Sequence, residues 1–311
     1  MRIVFAGTPD VAADVLRGIV QSGHEVCLVL TREDAPVGRS KTLTPSPVAA
    51  VAEELGLRTI KSNKPDKLVV DEIGSTGAEL GIIVAYGSIL KAPVLDAVPN
   101  GWYNLHFSLL PKYRGAAPVQ RAILAGETET GVTMFKLDQG MDTGEVLKQV
   151  PTAISPRENA KELLNRLGQL SISVLLEALP EIYSGTFTLT PQSGEASFAP
   201  KPTREEGKID FNLDALTIQH KVLALNPEPM AWCLVGIENM RILDALQSLS
   251  SNVVDQMTAQ EPGALTYLDG KLYVKCGGDS VLELISVQPS SKREMLAKDW
   301  FNGNRSIERL S

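Results

Sequence analysis

Cysteine, long apolar runs and nucleotide-binding motifs are all scarce in this chain, and each scarcity removes a class of function. There are 3 cysteines in 311 residues, Cys27, Cys233 and Cys276, far apart and with no Cys-x-x-Cys pair. That argues against a zinc site or a disulfide framework and fits a reducing compartment. No apolar run approaches the ~20 residues that a membrane-spanning helix needs. The opening Met1-Arg-Ile-Val-Phe-Ala-Gly7 reads as a strand and turn rather than a leader, so a cytoplasmic protein is expected. Gly7-Thr8-Pro9 is not Gly-x-Gly-x-x-Gly, and neither a Gly-Lys-Ser/Thr phosphate loop nor a Gly-x-Ser-x-Gly elbow occurs. Dehydrogenase, nucleotidase and serine hydrolase all lose ground. Positive charge is short as well: 30 Lys and Arg against 37 Asp and Glu give a net charge of -7. A generally basic nucleic-acid binder is disfavoured, although a local basic patch is compatible with that sum.

What is present is an ordinary globular composition, 43% hydrophobic and 22% charged. A chain this long is expected to form two domains, because single cores rarely grow beyond ~250–300 residues. Residues 2–6 form a short apolar run. After Pro9, Val11, Val15, Ile19 and Val20 recur at helical spacing over 10–21. Glu25–Leu30 is a second buried strand, with Cys27 in its core. Residues 46–55 read as a helix, 58–60, 80–84 and 103–106 as strands, and 117–125 as a short helix. Residues 131–137 and 146–150 read as extended and 159–183 as a long amphipathic helix. This alternation predicts an α/β unit with a Rossmann-like, mostly parallel sheet and helices on both faces.

The character changes over residues 190–207, where Pro191, Gly194, Pro200, Pro202 and Gly207 mark a linker. A helix over 213–225 and short strands with turn signals to about residue 288 predict a small β-barrel or sandwich. The expected domains are therefore 1–189 and 208–311, joined by 190–207.

The chemistry concentrates at Asn104-Leu-His-Phe-Ser-Leu-Leu-Pro-Lys-Tyr-Arg-Gly115. In a strand, Asn104 and His106 point to one face. His106 is one of 3 histidines; His24 reads as a turn residue and His220 as structural or surface. Downstream, an acidic loop carries Asp138 and Asp142. An amide donor, an imidazole and a carboxylate form an acyl-transfer kit: the amide serves a developing oxyanion, and the carboxylate orients the imidazole or takes a proton. Residue type alone leaves the plainer reading open, in which Asn104 and His106 are a hydrogen-bonded turn element, Ser108–Pro111 a tight loop and Asp142 a solvated turn residue.

The run Asn104-x-His106-x-Ser-Leu-Leu-Pro111-x-Tyr-Arg-Gly115, with Ala116-Ala-Pro-Val-Gln120, Glu129-Thr-Gly-Val132 and Asp142-Thr-Gly144, resembles the folate-dependent formyltransferases. Within them, it looks like the branch that formylates methionine carried on initiator tRNA. Phe5-Ala-Gly-Thr-Pro-Asp10, the insertion Pro36-Val-Gly-Arg39-Ser-Lys41, Val84-Ala-Tyr-Gly87, Phe198-Ala-Pro-Lys201 and Glu206-Gly-Lys-Ile-Asp210 match that branch. The resemblance spans essentially the whole chain. Phe107 stands where a small residue is usual, and Glu228 where a Trp is common.

The resemblance implies formyl transfer from 10-formyltetrahydrofolate, a cosubstrate rather than a bound prosthetic group, to the α-amino group of initiator Met-tRNA. No metal is implied, and the expected state is a monomer. Its catalytic set carries over to Asn104 and His106, which would stabilise the oxyanion, and Asp142, which would hold His106, favour its charged form and assist proton removal. Folate contacts carry over to Ser108, Leu109, Leu110 and Pro111, with Tyr86 and Gly87 bordering the pocket. tRNA contacts carry over to Arg39 and Lys41, with Arg32, Lys201, Arg204 and Lys208 as further cations. The second domain is implied to be an oligonucleotide-binding (OB-like) barrel, although 205–311 holds more acidic than basic residues, so its basic side must be local. Three rivals stay open: a sugar-nucleotide N-formyltransferase, a glycinamide ribonucleotide formyltransferase, and a catalytically silent RNA-binding protein. The Arg39 insertion and the Phe5–Asp10 turn weigh against the first, the second domain against the second, and the intact Asn104, His106 and Asp142 against the third.

Overall fold

A computed structural model describes residues 1–38 and 40–311. The chain forms two compact units: Met1–Pro118 with Glu129–Ala153 and Leu164–Pro200, and Val119–Thr128 with Ile154–Leu163 and Lys201–Ser311.

The first unit is built on strands β1 (Arg2–Gly7), β2 (Glu25–Thr31), β5 (Thr59–Lys61), β6 (Leu80–Val84), β7 (Trp102–His106), β8 (Glu129–Lys136) and β9 (Val146–Ala153), after a small exposed hairpin of β3 (Ala35–Val37) and β4 (Thr42–Thr44). Their order is β5-β2-β1-β6-β7-β8-β9; β5 to β7 are parallel, and β8 and β9 close the edge as antiparallel strands. The parallel strands are apolar on both faces. Val4 and Ala6 pack with Val69, Ile73 and Val94, while the alternating Ile3 and Phe5 are equally buried.

Helices follow from local signals. α1 (Asp10–Gln21) begins after an extended Pro9 and buries Val11, Val15, Leu16 and Ile19. α2 (Pro47–Glu54) has Pro47 in its first turn and Ser46 as its cap, whose Oγ accepts from the Ala49 N–H at 3.0 Å. α3 (Lys67–Thr76) and α4 (Ala92–Leu95) were not legible in the periodicity, because α3 buries only Val69, Ile73 and Thr76 and α4 is a single turn. α5 (Pro118–Leu124) and α6 (Ala160–Ser184) lie where helices were expected. No described helix is long and apolar enough to cross a membrane.

The second unit holds α7 (Ala215–Leu225), capped by Asp214, whose Oδ1 accepts from the Thr217 N–H at 3.0 Å. Its antiparallel sheet comprises β10 (Ala231–Val235), β11 (Glu238–Gln247), β12 (Leu265–Leu268), β13 (Lys271–Lys275), β14 (Val281–Pro289) and β15 (Met295–Leu296), in the order β10-β11-β14-β13-β12 with β15 on β14. The small β domain expected after residue 207 is thus present, and its sheet is antiparallel. Within it, α8 (Ser251–Met257) interrupts a stretch read as strands, and α9 (Ala297–Asn302) follows β15. Ile218 and Val222 of α7 join Met240, Ile242, Leu282, Leu284 and Trp300 in its core.

Two boundaries differ from those expected. Residues 119–128 and 154–163 pack with the second unit: Arg121 reaches Glu206 in a bidentate pair at 2.7 and 3.2 Å, and Arg157 reaches Asp244 at 2.7 and 2.9 Å. The stretch read as a linker is half structure. Thr190 exchanges backbone hydrogen bonds with Val146 at 2.8 and 2.9 Å, and residues around Phe198 pair with Arg114. Proline and glycine removed its periodicity without removing its backbone partners.

Candidate active site

β7 sets the site. Trp102, Asn104 and His106 share one face by strand alternation, and Trp102 anchors that face with its indole N–H on the Val94 carbonyl at 2.8 Å. Asn104 and His106 lie at the carboxyl end of the parallel sheet, where Asn104 pairs with Ile83 of β6 and His106 with Thr133 of β8. Open α/β sheets place their ligand crevices at this end. The Asn104 carboxamide is half-buried and makes no hydrogen bond to another described residue.

His106 is 5% exposed and stands edge-on to the Phe135 ring, with centroids 6.4 Å apart. Its Nε2 lies 2.9 Å from the Tyr113 carbonyl. A carbonyl only accepts, so the hydrogen sits on Nε2 and Nδ1 carries the lone pair when the ring is neutral. Asp142 Oδ2 is 3.8 Å from Nδ1, too far for a hydrogen bond and close enough to matter electrostatically. Burial pushes the His106 pKa below the ordinary histidine value, outweighing the opposing pull of Asp142 and the Tyr113 carbonyl. The charged imidazole expected from a neighbouring carboxylate is therefore not the resting form; desolvation wins and the ring rests neutral near pH 7.

Asp142 comes to His106 from the turn between β8 and β9. It holds a left-handed backbone at φ 53°, and its Oδ2 accepts the Gly115 N–H at 2.7 Å. Gly115 has φ 121°, and a β-carbon there would meet the Ala199 carbonyl at 3.0 Å, so the close turn requires glycine. Asp138 stays in its own turn, accepting from the Gly140 N–H and the Thr143 hydroxyl.

The Ser108–Pro111 loop is held from β8 and β9. The buried Thr133 hydroxyl donates to the Ser108 carbonyl at 2.6 Å and accepts from the Leu110 N–H at 3.2 Å. Gln149 Nε2 donates to both the Leu110 carbonyl at 3.0 Å and Thr133 Oγ1 at 2.9 Å. Ser108 Oγ closes the loop on the Lys112 carbonyl at 2.6 Å, and the Leu110–Pro111 peptide is cis. Ser108, Leu110 and Pro111 are buried; Leu109 stays half-exposed, resting against Gly131 where a β-carbon would come 2.5 Å from its Cδ2. A half-exposed leucine on a rigid loop is a fitting bed for a flat ring.

Other expected residues fall differently. The Tyr86 side chain is 1% exposed, sits in the core and donates its hydroxyl to the Ser62 carbonyl at 2.6 Å. Burial pushes its pKa up to about 12. Its phenol is thus held within the core, and its carbonyl accepts from the Thr8 hydroxyl at 2.7 Å. The Gly87 carbonyl accepts from Arg32 Nη1 at 2.6 Å, and Arg32 Nε donates to Asn63 at 2.5 Å, so this cation is engaged within the unit. Lys41 is exposed beside β4 with φ 50°. Arg39 lies outside the described residues. Phe107 is buried, whereas Glu228 is exposed.

Sequence reading missed the second ring of partners, Thr133, Gln149, Gln192 and Ser197. Ser197 Oγ accepts the Tyr113 N–H at 2.8 Å, next to the carbonyl that receives His106. Only the recurrence of polar residues inside β8 and β9 and in the supposed linker could have flagged them.

Both parts of the chain are similar to known proteins. The formyl transferase family matches residues 1–179, and the formyl transferase C-terminal domain matches residues 201–305. The methionyl-tRNA formyltransferase of Clavibacter sepedonicus is 43% identical over 303 residues, covering 97% of each chain. That of Arthrobacter sp. strain FB24 is 42% identical over 308 residues, 99% of this chain and 98% of the relative. Among solved structures, a sugar 3N-formyl transferase, WlaRD, superimposes with a TM-score of 0.67 at 18% identity, over 94% of this chain and 99% of that one. Methionyl-tRNA formyltransferase from Clostridium thermocellum gives 0.57 at 17%, over 93% and 98%. At such identities these two speak for the fold alone, while the sequence relatives and both domain matches leave one conclusion: the chain belongs to the formyl transferase family.

Proposed function

We propose that this chain transfers a formyl group from 10-formyltetrahydrofolate to the α-amino group of methionine on initiator Met-tRNA, as a cytoplasmic monomer supporting translation initiation. The observation that carries the reading is Asp142 facing His106 at the end of β7, with Asn104 on the same strand face and the Ser108–Pro111 loop following on in the chain. The choice of acceptor rests on the relatives, whose shared name specifies methionyl-tRNA and whose similarity runs through both domains.

When bound, the formyl donor supplies an activated one-carbon acyl group; the chain's residues do the rest. Ser108–Pro111 and Leu109 seat the donor. Asn104 offers its unengaged amide N–H to the formyl oxygen as the amine attacks and negative charge develops there. Preorganised donors of this kind contribute most when water is excluded. His106, neutral with a free lone pair on Nδ1, accepts the amine proton. The resulting imidazolium faces Asp142, whose charge stabilises it, and its new N–H becomes a second donor for the oxyanion. His106 then returns the proton to the departing nitrogen of the donor.

The test is to incubate the protein with 10-formyltetrahydrofolate and charged initiator Met-tRNA. Formyl-methionyl-tRNA is the expected product. Absence of that product alongside turnover of a nucleotide-linked amino sugar would sink the reading.

A further inference from the structure

The stretch read as a linker sends one side chain back to the candidate site. Gln192 Nε2 donates to the Asp142 carbonyl at 2.8 Å and to the Gly144 carbonyl at 2.9 Å. Its Oε1 accepts from Arg114 Nε at 3.1 Å and Nη2 at 2.6 Å. A guanidinium can only donate, so the amide orientation is determined by its neighbours, and all four of its hydrogen-bonding positions are used. Arg114 precedes Gly115, whose N–H holds the Asp142 carboxylate at 2.7 Å. The Arg114–Gly115 pair thus reaches Asp142 twice: directly at the carboxylate, and through Gln192 at the backbone.

That second hold acts on a strained residue. Asp142 is a non-glycine residue at φ 53°, a conformation that costs free energy and persists only where surroundings impose it. Gln192 spans the turn from the Asp142 carbonyl to the Gly144 carbonyl and resists its relaxation. A change of backbone there would swing the carboxylate away from His106 Nδ1, now 3.8 Å distant.

We infer that Gln192 is a positioning residue for formyl transfer: with Arg114 it holds the Asp142 turn so that the carboxylate faces the His106 ring. This rests on the reading of Asp142 and His106 given above. Gln192 itself touches no reacting atom. Its predicted action runs entirely through Asp142, which distinguishes it from a residue that merely stabilises the fold.

The test uses the full-length protein with Gln192→Ala and Gln192→Glu, each in the wild-type and the Asp142→Asn background. Glu keeps the Arg114 contact but loses both N–H donors, so both variants are expected to lower kcat about tenfold, with KM for the formyl donor within twofold. In the Asp142→Asn background the same changes are expected to have no further effect, because coupled residues are non-additive. An NMR titration of His106, whose only described charged neighbour is Asp142, is expected to move to lower pH in Gln192→Ala. An equal loss in both backgrounds, or an unmoved or upward-shifted His106 titration in a folded variant, would overturn the inference. The titration needs no turnover. A wild-type protein inactive on Met-tRNA would refute the proposed acceptor, while the titration would still decide the role of Gln192.

Discussion

His106 Nδ1 and Asp142 Oδ2 face each other across 3.8 Å, with no hydrogen bond between them. The gap separates two effects that residue type alone cannot rank. Burial of the ring favours the neutral imidazole and the carboxylate favours the charged one; burial is the larger. The resting site therefore holds a base beside an anion that stabilises the product of proton uptake.

Removing either oxyanion donor tests the centre of the site. Asn104→Ala and His106→Ala are each expected to lower kcat by ~10²–10³, the usual cost of one such donor, with tRNA binding retained. Single-turnover formylation and tRNA binding on the same preparations check this; near-normal turnover would remove the residue from the mechanism.

The pH dependence follows from the direction of the His106 shift. A base with a lowered pKa stays unprotonated to lower pH, so the acid limb of kcat/KM is expected below the ordinary histidine value of about 6.5. Asp142 raises that pKa, so Asp142→Asn is expected to move the limb further toward acid as it lowers the rate. The same shift carries a stability consequence. The unfolded chain binds the proton more readily than the folded one, so the His106 contribution is retained above the unfolded pKa. It is lost as pH falls from there to the folded pKa. His106→Asn is expected to flatten that segment of a denaturation-versus-pH curve.

Thr133 tests whether the Ser108–Pro111 loop seats the formyl donor. Thr133→Val conserves shape but strips the Ser108 carbonyl, the Leu110 N–H and Gln149 of a shared partner. Unpaired buried groups of this kind cost about 1–3 kcal/mol. A rise in KM for the formyl donor larger than the fall in kcat is expected, with Thr133→Ser restoring most of it. A pure loss of thermal stability with unchanged KM would show the loop to be structural only.

Gly131 tests the bed of that loop. A β-carbon there would collide with the Val150 carbonyl and come 2.5 Å from Leu109 Cδ2. Gly131→Ala is expected to destabilise the protein by about 1–3 kcal/mol through overpacking, read in chemical denaturation, and to weaken formyl-donor binding because Leu109 must move.

tRNA affinity is expected to fall steeply with salt, since the cations proposed to meet phosphate, Lys41, Lys201, Arg204 and Lys208, are each exposed. Replacing any one by alanine is expected to reduce the slope of log K against log salt by about 1. Binding unchanged by high salt would contradict this.

The α/β rhythm, the strand carrying Asn104 and His106 on one face, and the short-stranded β character of the second domain were all legible in the sequence. Those features follow from local periodicity: Val11, Val15 and Ile19 turn a helix, and i, i+2 spacing orients a strand. The chemistry was legible through the resemblance and not through periodicity, because the residues that carry the likeness, Asn104, His106 and Ser108–Pro111, are contiguous. The tertiary structure alone decided the rest. Whether His106 rests charged depends on desolvation by neighbours such as Phe135, which lies in another strand. Whether the Tyr86 phenol lies in the core depends on the Ser62 carbonyl, on another segment of the chain. Whether residues 190–200 are a tether or part of the site depends on backbone hydrogen bonds to Val146 and Arg114 and on one amide, Gln192, reaching Asp142 across 50 residues. Periodicity reports which face a residue shares with its neighbours in sequence, and it carries no information about a partner brought near only by folding.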